Sequence, residues 1–342
     1  MNQIPHNYNP DAECLKWLEF IEEAIHKEDI PVLQEAFGYT LFPKYFIHKA
    51  FLLVGKGGNG KGVVLDTLRY ILGANNVSAR ELQELNTNRF ALADLYGKLA
   101  NIAGDIPSTR LTKTGNFKKL TGQDLIEAEK KHQNSFNFEN YAKLWFSCNQ
   151  VPQTSDDTDA FFQGGIIFTF PRTFRGTDKE DKHLRETLQE ESEGIIAWAI
   201  EGLKRLLEND GFSYSASTEE VREYYARLSD SVYAFYQDCL VEDSESQIPK
   251  DDLYALYVTY CAKLKIDPVH KNTFAKNLPR CSGVIRVSRP RIKGRRVMAW
   301  QGVAYNYEAF EKLGISLDTL TGQGSIETSL DHPENQDQKQ GV

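Results

Sequence analysis

The sequence has little of what would place it outside a cell or in a membrane. Its 342 residues contain five cysteines (Cys14, Cys148, Cys239, Cys261 and Cys281), and no two of them stand as C-x-x-C. That scatter offers neither a zinc site nor a disulfide framework. It fits a reducing, cytoplasmic setting with each thiol serving as apolar filler. No apolar run approaches the length needed to span a bilayer, so no membrane partner is expected. The opening residues, Met1-Asn2-Gln3-Ile4-Pro5-His6, lack the basic and apolar regions of a secretory leader. A primase or polymerase motif is also missing. Acid outweighs base, giving a net charge of −8, which argues against a nucleic-acid partner only until its distribution is read. From Lys271 to Arg296 nine basic residues follow one another with no acid among them. The acids gather elsewhere, at Glu186, Glu190, Glu191 and Glu193, at Glu242, Asp243 and Glu245, and in the last residues.

What is present is a packed globular chain, 41% hydrophobic and 11% aromatic, long enough for two or three domains. Its centre of organisation is the apolar run 50–54, which breaks into Gly55-Lys56-Gly57-Gly58-Asn59-Gly60-Lys61-Gly62 and resumes at Val63 with apolar residues at helical spacing. Strand, glycine loop and helix are the setting of a P-loop, and Gly55, Gly60 and Lys61 stand where G-x-x-x-x-G-K requires them. Residues 55–63 are therefore the candidate nucleotide-binding residues. Glycines let backbone N–H groups turn inward around a β-phosphate, the helix N-terminus adds positive potential, and Lys61 reaches the β/γ oxygens. Gly62 departs from the pattern, because Ser or Thr normally stands there and ligates Mg²⁺.

Along the chain, residues 11–37 read as a helical lead-in, with a second helix over 30–37 that Gly38-Tyr39 ends. Beyond the P-loop helix, the spacing predicts helices at 79–85 and 89–95 and a buried strand at 99–105 ending in Asp105. An acid there can polarise a water or hold Mg²⁺; a turn residue before Pro107 is the lesser reading, and the distance downstream of Lys61 promotes the acid. Ile126 to Phe138 reads as two short strands around a basic tip, Lys130-Lys131-His132, which by composition alone is a solvated loop. A strand at 143–148 ends at Asn149, an amide that could hold an attacking water or form a turn, and a further strand covers 165–170. Short apolar strands alternating with helices imply an α/β core with a largely parallel sheet, whose carboxyl edge carries Lys61, Asp105 and Asn149. From 178 the pattern is helical, over 184–191, 193–209, 218–228 and 231–239. The last part is different: helices at 250–264 and 271–278, then strands at 284–287 and 295–300 across a basic loop. Two helices and a basic hairpin describe a winged helix, and Arg289, Arg291, Lys293, Arg295 and Arg296 would contact DNA phosphates from its wing.

The ordered set of motifs resembles superfamily 3 helicases, specifically the helicase half of phage and plasmid primase–helicases. The resemblance rests on Leu33-Gln34-Glu35-Ala36-Phe37-Gly38-Tyr39, the P-loop, Lys119-Leu120-Thr121-Gly122-Gln123-Asp124, Asn149-Gln150-Val151-Pro152 and the C-terminal winged helix, over roughly residues 10–305. It implies an AAA+-like core assembling as a homo-hexameric ring, with ATP and Mg²⁺ at subunit boundaries. It also implies 3′-to-5′ movement on single-stranded or forked DNA, in a host cell's cytoplasm if the protein is viral. By that resemblance Lys61 is the phosphate lysine, Asp105 the Walker B acid and metal ligand, Asn149 sensor 1, and Lys131-His132 the tip of a DNA-contacting hairpin. The chain would then be the C-terminal part of a polypeptide that also carries a primase-polymerase. The arginine that the family places before the last core strand is absent, since Gln163-Gly164 stands there. Arg172 and Arg175, with Arg110 as a third choice, are the candidates for its role.

The domain boundaries expected are 1–45 for the helical lead-in, 46–176 for the ATPase core, 177–240 for a helical region and 241–312 for the winged helix. A disordered tail is expected over 313–342. The reading is an ATP-dependent DNA helicase for phage or plasmid replication. Its rival is an ATP-gated DNA-binding module with weak or no hydrolysis, and a P-loop kinase or signalling ATPase stands further off.

Overall fold

Short apolar strands buried on both faces organise the first 230 residues. The computed structural model describes residues 2–315 apart from 155, 157, 265–267 and 293, and the chain divides between Asp230 and Ser231 into two units. Unit one contains β1 (Ala50–Val54), β2 (Val77–Ser78), β3 (Ala100–Ala103), β4 (Leu125–Ala128), β5 (Phe136–Glu139), β6 (Lys143–Cys148) and β7 (Gly165–Thr169). Five of them form one sheet in the order β2-β3-β6-β1-β7, parallel throughout, while β4 and β5 pair as a separate antiparallel hairpin. This is the α/β fold with a parallel sheet that the alternating pattern predicts.

Period-two geometry divides each strand between two cores. Phe51, Leu53, Ile102, Trp145, Ile166 and Phe168 face one cluster. Ala50, Val54, Ala103, Leu144, Phe146 and Ile167 face the other. The helices of this unit are α1 (Leu15–Ala24), α2 (Ile30–Leu41), α3 (Lys61–Leu72), α4 (Leu82–Thr87), α5 (Arg89–Ala93), α6 (Gly115–Thr121), α7 (Asp159–Gln163), α8 (Leu184–Glu190), α9 (Ser192–Glu208) and α10 (Thr218–Ser229). Residues of α1, α2, α3, α8 and α9 fill the first cluster, and those of α4 to α7, α10 and the hairpin fill the second. Covering both faces explains why these strands are continuously apolar.

One expectation is corrected here. Gly38-Tyr39 does not end the second helix, which runs on to Leu41. Gly38 serves packing instead: a Cβ there would lie 2.2 Å from the Ala199 carbonyl oxygen. The crossing of α2 and α9 therefore needs a residue without a side chain.

Unit two has its own core, with Phe235, Leu256, Tyr257, Phe274, Leu278, Trp300 and Val303 among its buried residues. It comprises α11 (Ser231–Cys239), β8 (Leu240–Pro249), α12 (Lys250–Lys263), α13 (Lys271–Cys281), β9 (Arg286–Ser288), β10 (Arg291–Ile292), β11 (Arg295–Arg296), β12 (Ala299–Tyr305) and α14 (Tyr307–Leu313). The expected hairpin exists with later bounds. β9 pairs antiparallel with β12, and the segment between them folds into the two-residue ribbon β10–β11. The stretch 295–300 is therefore broken rather than one strand. Lys293 lies outside the described residues. β8, which the sequence reading left unassigned, pairs antiparallel with β12 at both ends, with a register shift between Gln301 and Gly302. Leu313 ends α14 and Ile315 is buried; the rest of the tail expected over 313–342 lies outside the described residues. Among those described, no helix is long and apolar enough to cross a membrane. Cys14, Cys148, Cys239 and Cys261 are buried and Cys281 is half-buried, and none of the five is in a disulfide.

Candidate functional site

A parallel sheet puts all its carboxyl ends on one edge, and the register aligns three of them. Val54 lies opposite Cys148, and Ala103 opposite Phe146. The residues that follow are the glycine loop after β1, Gly104-Asp105 after β3 and Asn149 after β6.

The loop is shaped by close approaches that only glycine allows. Gly58 has φ +77° and Gly60 φ +95°, conformations that side chains rarely adopt. A Cβ on Gly60 would stand 2.8 Å from the Phe20 ring, and one on Gly58 2.5 Å from the Arg175 Cβ. Asn59 is 2% exposed and braces the loop, donating from Nδ2 to the Phe170 carbonyl at 3.1 Å. Lys61 opens α3, and its ammonium donates to the carbonyls of Gly55 and, at 3.0 Å, Lys56. It also donates to Asn59 Oδ1 at 3.1 Å and to Asn149 Oδ1 at 3.4 Å. Burial lowers the pKa of Lys61, against the attraction of the Asp105 carboxylate.

Asp105 is exposed and takes φ +51°, with its N–H donating to Ser147 Oγ at 3.1 Å. Ser147 also accepts at its carbonyl from Ile106 N at 2.8 Å. The turn after β3 is thus tied to β6, beside Asn149. Lys61, Asp105, Ser147 and Asn149 line one cavity of about 580 Å³ together with residues 57–63. A volume of that size suits a nucleotide-sized ligand.

The remaining walls come from α1 and from the segment 174–185. Glu191 caps the first turn of α1, accepting from the N–H groups of Lys16 and Trp17 at 2.9 Å each; this holds Phe20 against the loop. Phe174 and Arg175 both donate their backbone N–H to the Gly58 carbonyl, at 2.8 and 3.1 Å. Arg175 therefore sits on the loop of its own chain. Arg172 is exposed and helps Lys179, the larger influence, hold the Glu23 carboxyl below its ordinary pKa. Gln163 closes α7 and Gly164 precedes β7. Sequence reasoning missed Phe20, Ser147 and Arg185, all of them in the cavity wall. Phe20 and Arg185 reach the loop from far along the chain, and no local motif marks them.

Two basic surfaces lie apart from the sheet edge in sequence. Lys130, Lys131 and His132 are exposed in the turn between β4 and β5, where Gln133 N–H donates to the Lys130 carbonyl at 2.9 Å and His132 has φ +64°. Among the described residues none of the three forms a salt bridge. In unit two, Arg286, Arg289, Arg291, Arg295 and Arg296 are exposed, likewise without salt bridges among the described residues. Arg291 stands directly opposite Arg296 across the ribbon, a like-charge pairing that costs stability unless an anion lies between.

Residues 53–161 match a family of unknown function, DUF5906. Residues 227–288 match the family described as Poxvirus D5 protein-like. Over 151 residues the chain is 26% identical to a putative helicase of Acanthamoeba polyphaga mimivirus; the match covers 42% of this chain and 15% of that relative. The chain therefore spans a small part of that relative's length. Among solved structures, the apo C-terminal region of NrS-1 is similar at a TM-score of 0.49 and 12% identity, over 87% of this chain and 79% of that one. A second form of the same region has a TM-score of 0.48 at 11% identity, covering 88% and 76%.

Proposed function

We propose that the chain binds ATP in the cavity at the sheet edge and uses its hydrolysis to move on single-stranded or forked DNA, as a helicase. The observation that carries this reading is the convergence of Lys61, Asp105 and Asn149 on one glycine-lined cavity, in a chain that also exposes basic residues at a hairpin turn and along a ribbon. Likeness to a putative helicase and to a Poxvirus D5 protein-like family adds support.

Lys61 already donates to loop carbonyls and to two amide oxygens. Phosphate oxygens would compete for the same protons, with stronger charge-assisted bonds. Asn149 would then be freed to orient a water toward the γ-phosphate. The donor set suits Mg²⁺ in the way common to triphosphate sites, through one carboxylate, Asp105, with phosphate oxygens and waters completing the shell. Among the described residues no group of three or more His, Cys, Asp or Glu forms a dedicated metal cage. When bound, the ion would neutralise charge developing on the phosphates. DNA would run along Lys130, Lys131 and His132 and be gripped by the arginines of the ribbon, which act as the wing of a winged helix.

The finer reading adds an AAA+-like homo-hexameric ring, 3′-to-5′ direction and a primase-polymerase in the same polypeptide. A second reading, an ATP-gated DNA-binding module with little turnover, is favoured by Gln163-Gly164 at the usual arginine position. Arg175 serves its own chain's loop, so a residue reaching a neighbouring site would have to be Arg172 or another arginine. The deciding measurement is ATPase rate with and without single-stranded DNA, for the chain and for Lys61→Ala. Stimulation by DNA, abolished in the variant, is expected. A rate unaffected by DNA, or equal in the variant, rejects the helicase.

A further inference from the structure

Gly62 leaves the P-loop without its usual hydroxyl, and the space beside it is already taken. A Cβ on Gly62 would lie 3.5 Å from Arg185 Nη2. Arg185 belongs to α8, more than a hundred residues on, and lines the same cavity as Lys61 and Asp105. Its orientation is set from α3. Asp66, one turn beyond Gly62, forms an ion pair with Arg185 (Oδ2 to Nε, 3.0 Å), and its other oxygen accepts from Arg69 Nη1 at 2.6 Å. Of the guanidinium atoms, Nη2 is the one that comes within contact distance of Gly62. A second cation thus lines the cavity that holds Lys61, within reach of Gly62.

We propose that Arg185 is a phosphate-binding residue of this cavity, its guanidinium standing where a P-loop hydroxyl stands in chains with Ser or Thr at position 62. The inference rests on the nucleotide reading above. A hydroxyl reaches the phosphates through Mg²⁺, whereas a guanidinium reaches them directly and in a bidentate fork. Gly62 is the residue that leaves room for it. An ordinary Cβ contact would be tolerated at 3.5 Å, but a branched Thr would press on the guanidinium. Because Arg185 is carried by α8, phosphate contact would also tie α8 to the loop.

The test is displacement of a fluorescent ATP analogue from the full chain by ATP, ADP and AMP, for wild type, Arg185→Ala, Arg185→Lys and Lys61→Ala. Arg185→Ala should weaken ATP and ADP by about tenfold or more, the size of a lost charge-assisted bond. AMP, lacking the β-phosphate, should change little. Arg185→Lys should recover part of the loss, since it keeps the charge and not the fork. Adding Gly62→Ser to Arg185→Ala should restore affinity only when Mg²⁺ is present. Unchanged ATP affinity in Arg185→Ala beside a weakened Lys61→Ala overturns the inference, as does an equal loss for AMP. If Lys61→Ala binds as wild type does, the nucleotide reading is what fails.

Discussion

Lys143 is fully buried at the start of β6, the strand that ends beside the cavity. Its ammonium donates to the carbonyls of Phe42, of Lys44 at 2.7 Å and of Tyr141 at 3.2 Å. It also lies 4.4 Å from the Tyr39 ring centroid and 5.6 Å from that of Tyr45. Three acceptors and two aromatic faces replace the water that burial removed. Burial nonetheless pushes the lysine down to about 7 from its ordinary 10.5. The sign of the pH effect follows. The unfolded chain holds this proton across the interval from about 7 to 10.5 and the folded chain does not, so stability linked to Lys143 is full above the upper value. It is lost as pH falls toward the lower one. Lys143→Met should destabilise the fold by about 1–3 kcal/mol, because the carbonyls lose their donor. In urea titrations the gap between wild type and variant should widen from pH 7 to about pH 9; a gap that narrows would contradict a depressed pKa.

Among elements, the β4–β5 hairpin matters most to the proposed function. Its root is fixed: Ile126, Ala128 and Phe138 are buried, and Tyr96 meets Phe136 and Phe138 edge-on at 5.3 and 5.5 Å. Its tip is exposed and basic. Lys131→Ala with His132→Ala should cut strand separation on the order of tenfold, the equivalent of one or two lost charge-assisted contacts. ATP affinity should stay as it is, and a fall in nucleotide binding instead would place the hairpin in the cavity. The elements easiest to read from sequence were those with strong apolar periodicity: β6 and α11 have the expected bounds. β8 escaped notice because Glu242, Asp243, Ser244, Glu245 and Ser246 give a solvated edge strand no apolar alternation. Gly38 was mistaken for a helix stop because its reason lies on α9, far along the chain. Arg185 escaped for the same cause. Local pattern could name the positions that meet in the cavity from loops after strands, but not a partner folded in from a later helix.

For the whole molecule, the segregation of charge outweighs the total. A chain of net charge −8 still gathers five exposed arginines, Arg286, Arg289, Arg291, Arg295 and Arg296, within eleven residues of unit two, where Arg291 and Arg296 oppose each other and favour an anion. Arg295→Ala with Arg296→Ala should make the slope of log affinity for DNA against log salt shallower by roughly 1.5, at 0.7–0.9 per phosphate contact. Fluorescence anisotropy across a salt series measures it, and an unchanged slope would make the ribbon a solvated hairpin. ATP binding in unit one should be unaffected, since the ribbon belongs to a separate core.

The burial of the cysteines has a practical consequence. Burial is the first cause that raises the thiols of Cys14 to about 11 and of Cys148 and Cys239 to about 12, so at neutral pH they offer almost no thiolate to an electrophile. Cys261 is buried as well, which leaves half-buried Cys281, the last residue of α13, as the most reachable thiol among the five. The unaltered chain thus carries its own attachment point for a dye or spin label. That point lies in the unit with the arginine ribbon, and no native residue has to be removed to use it.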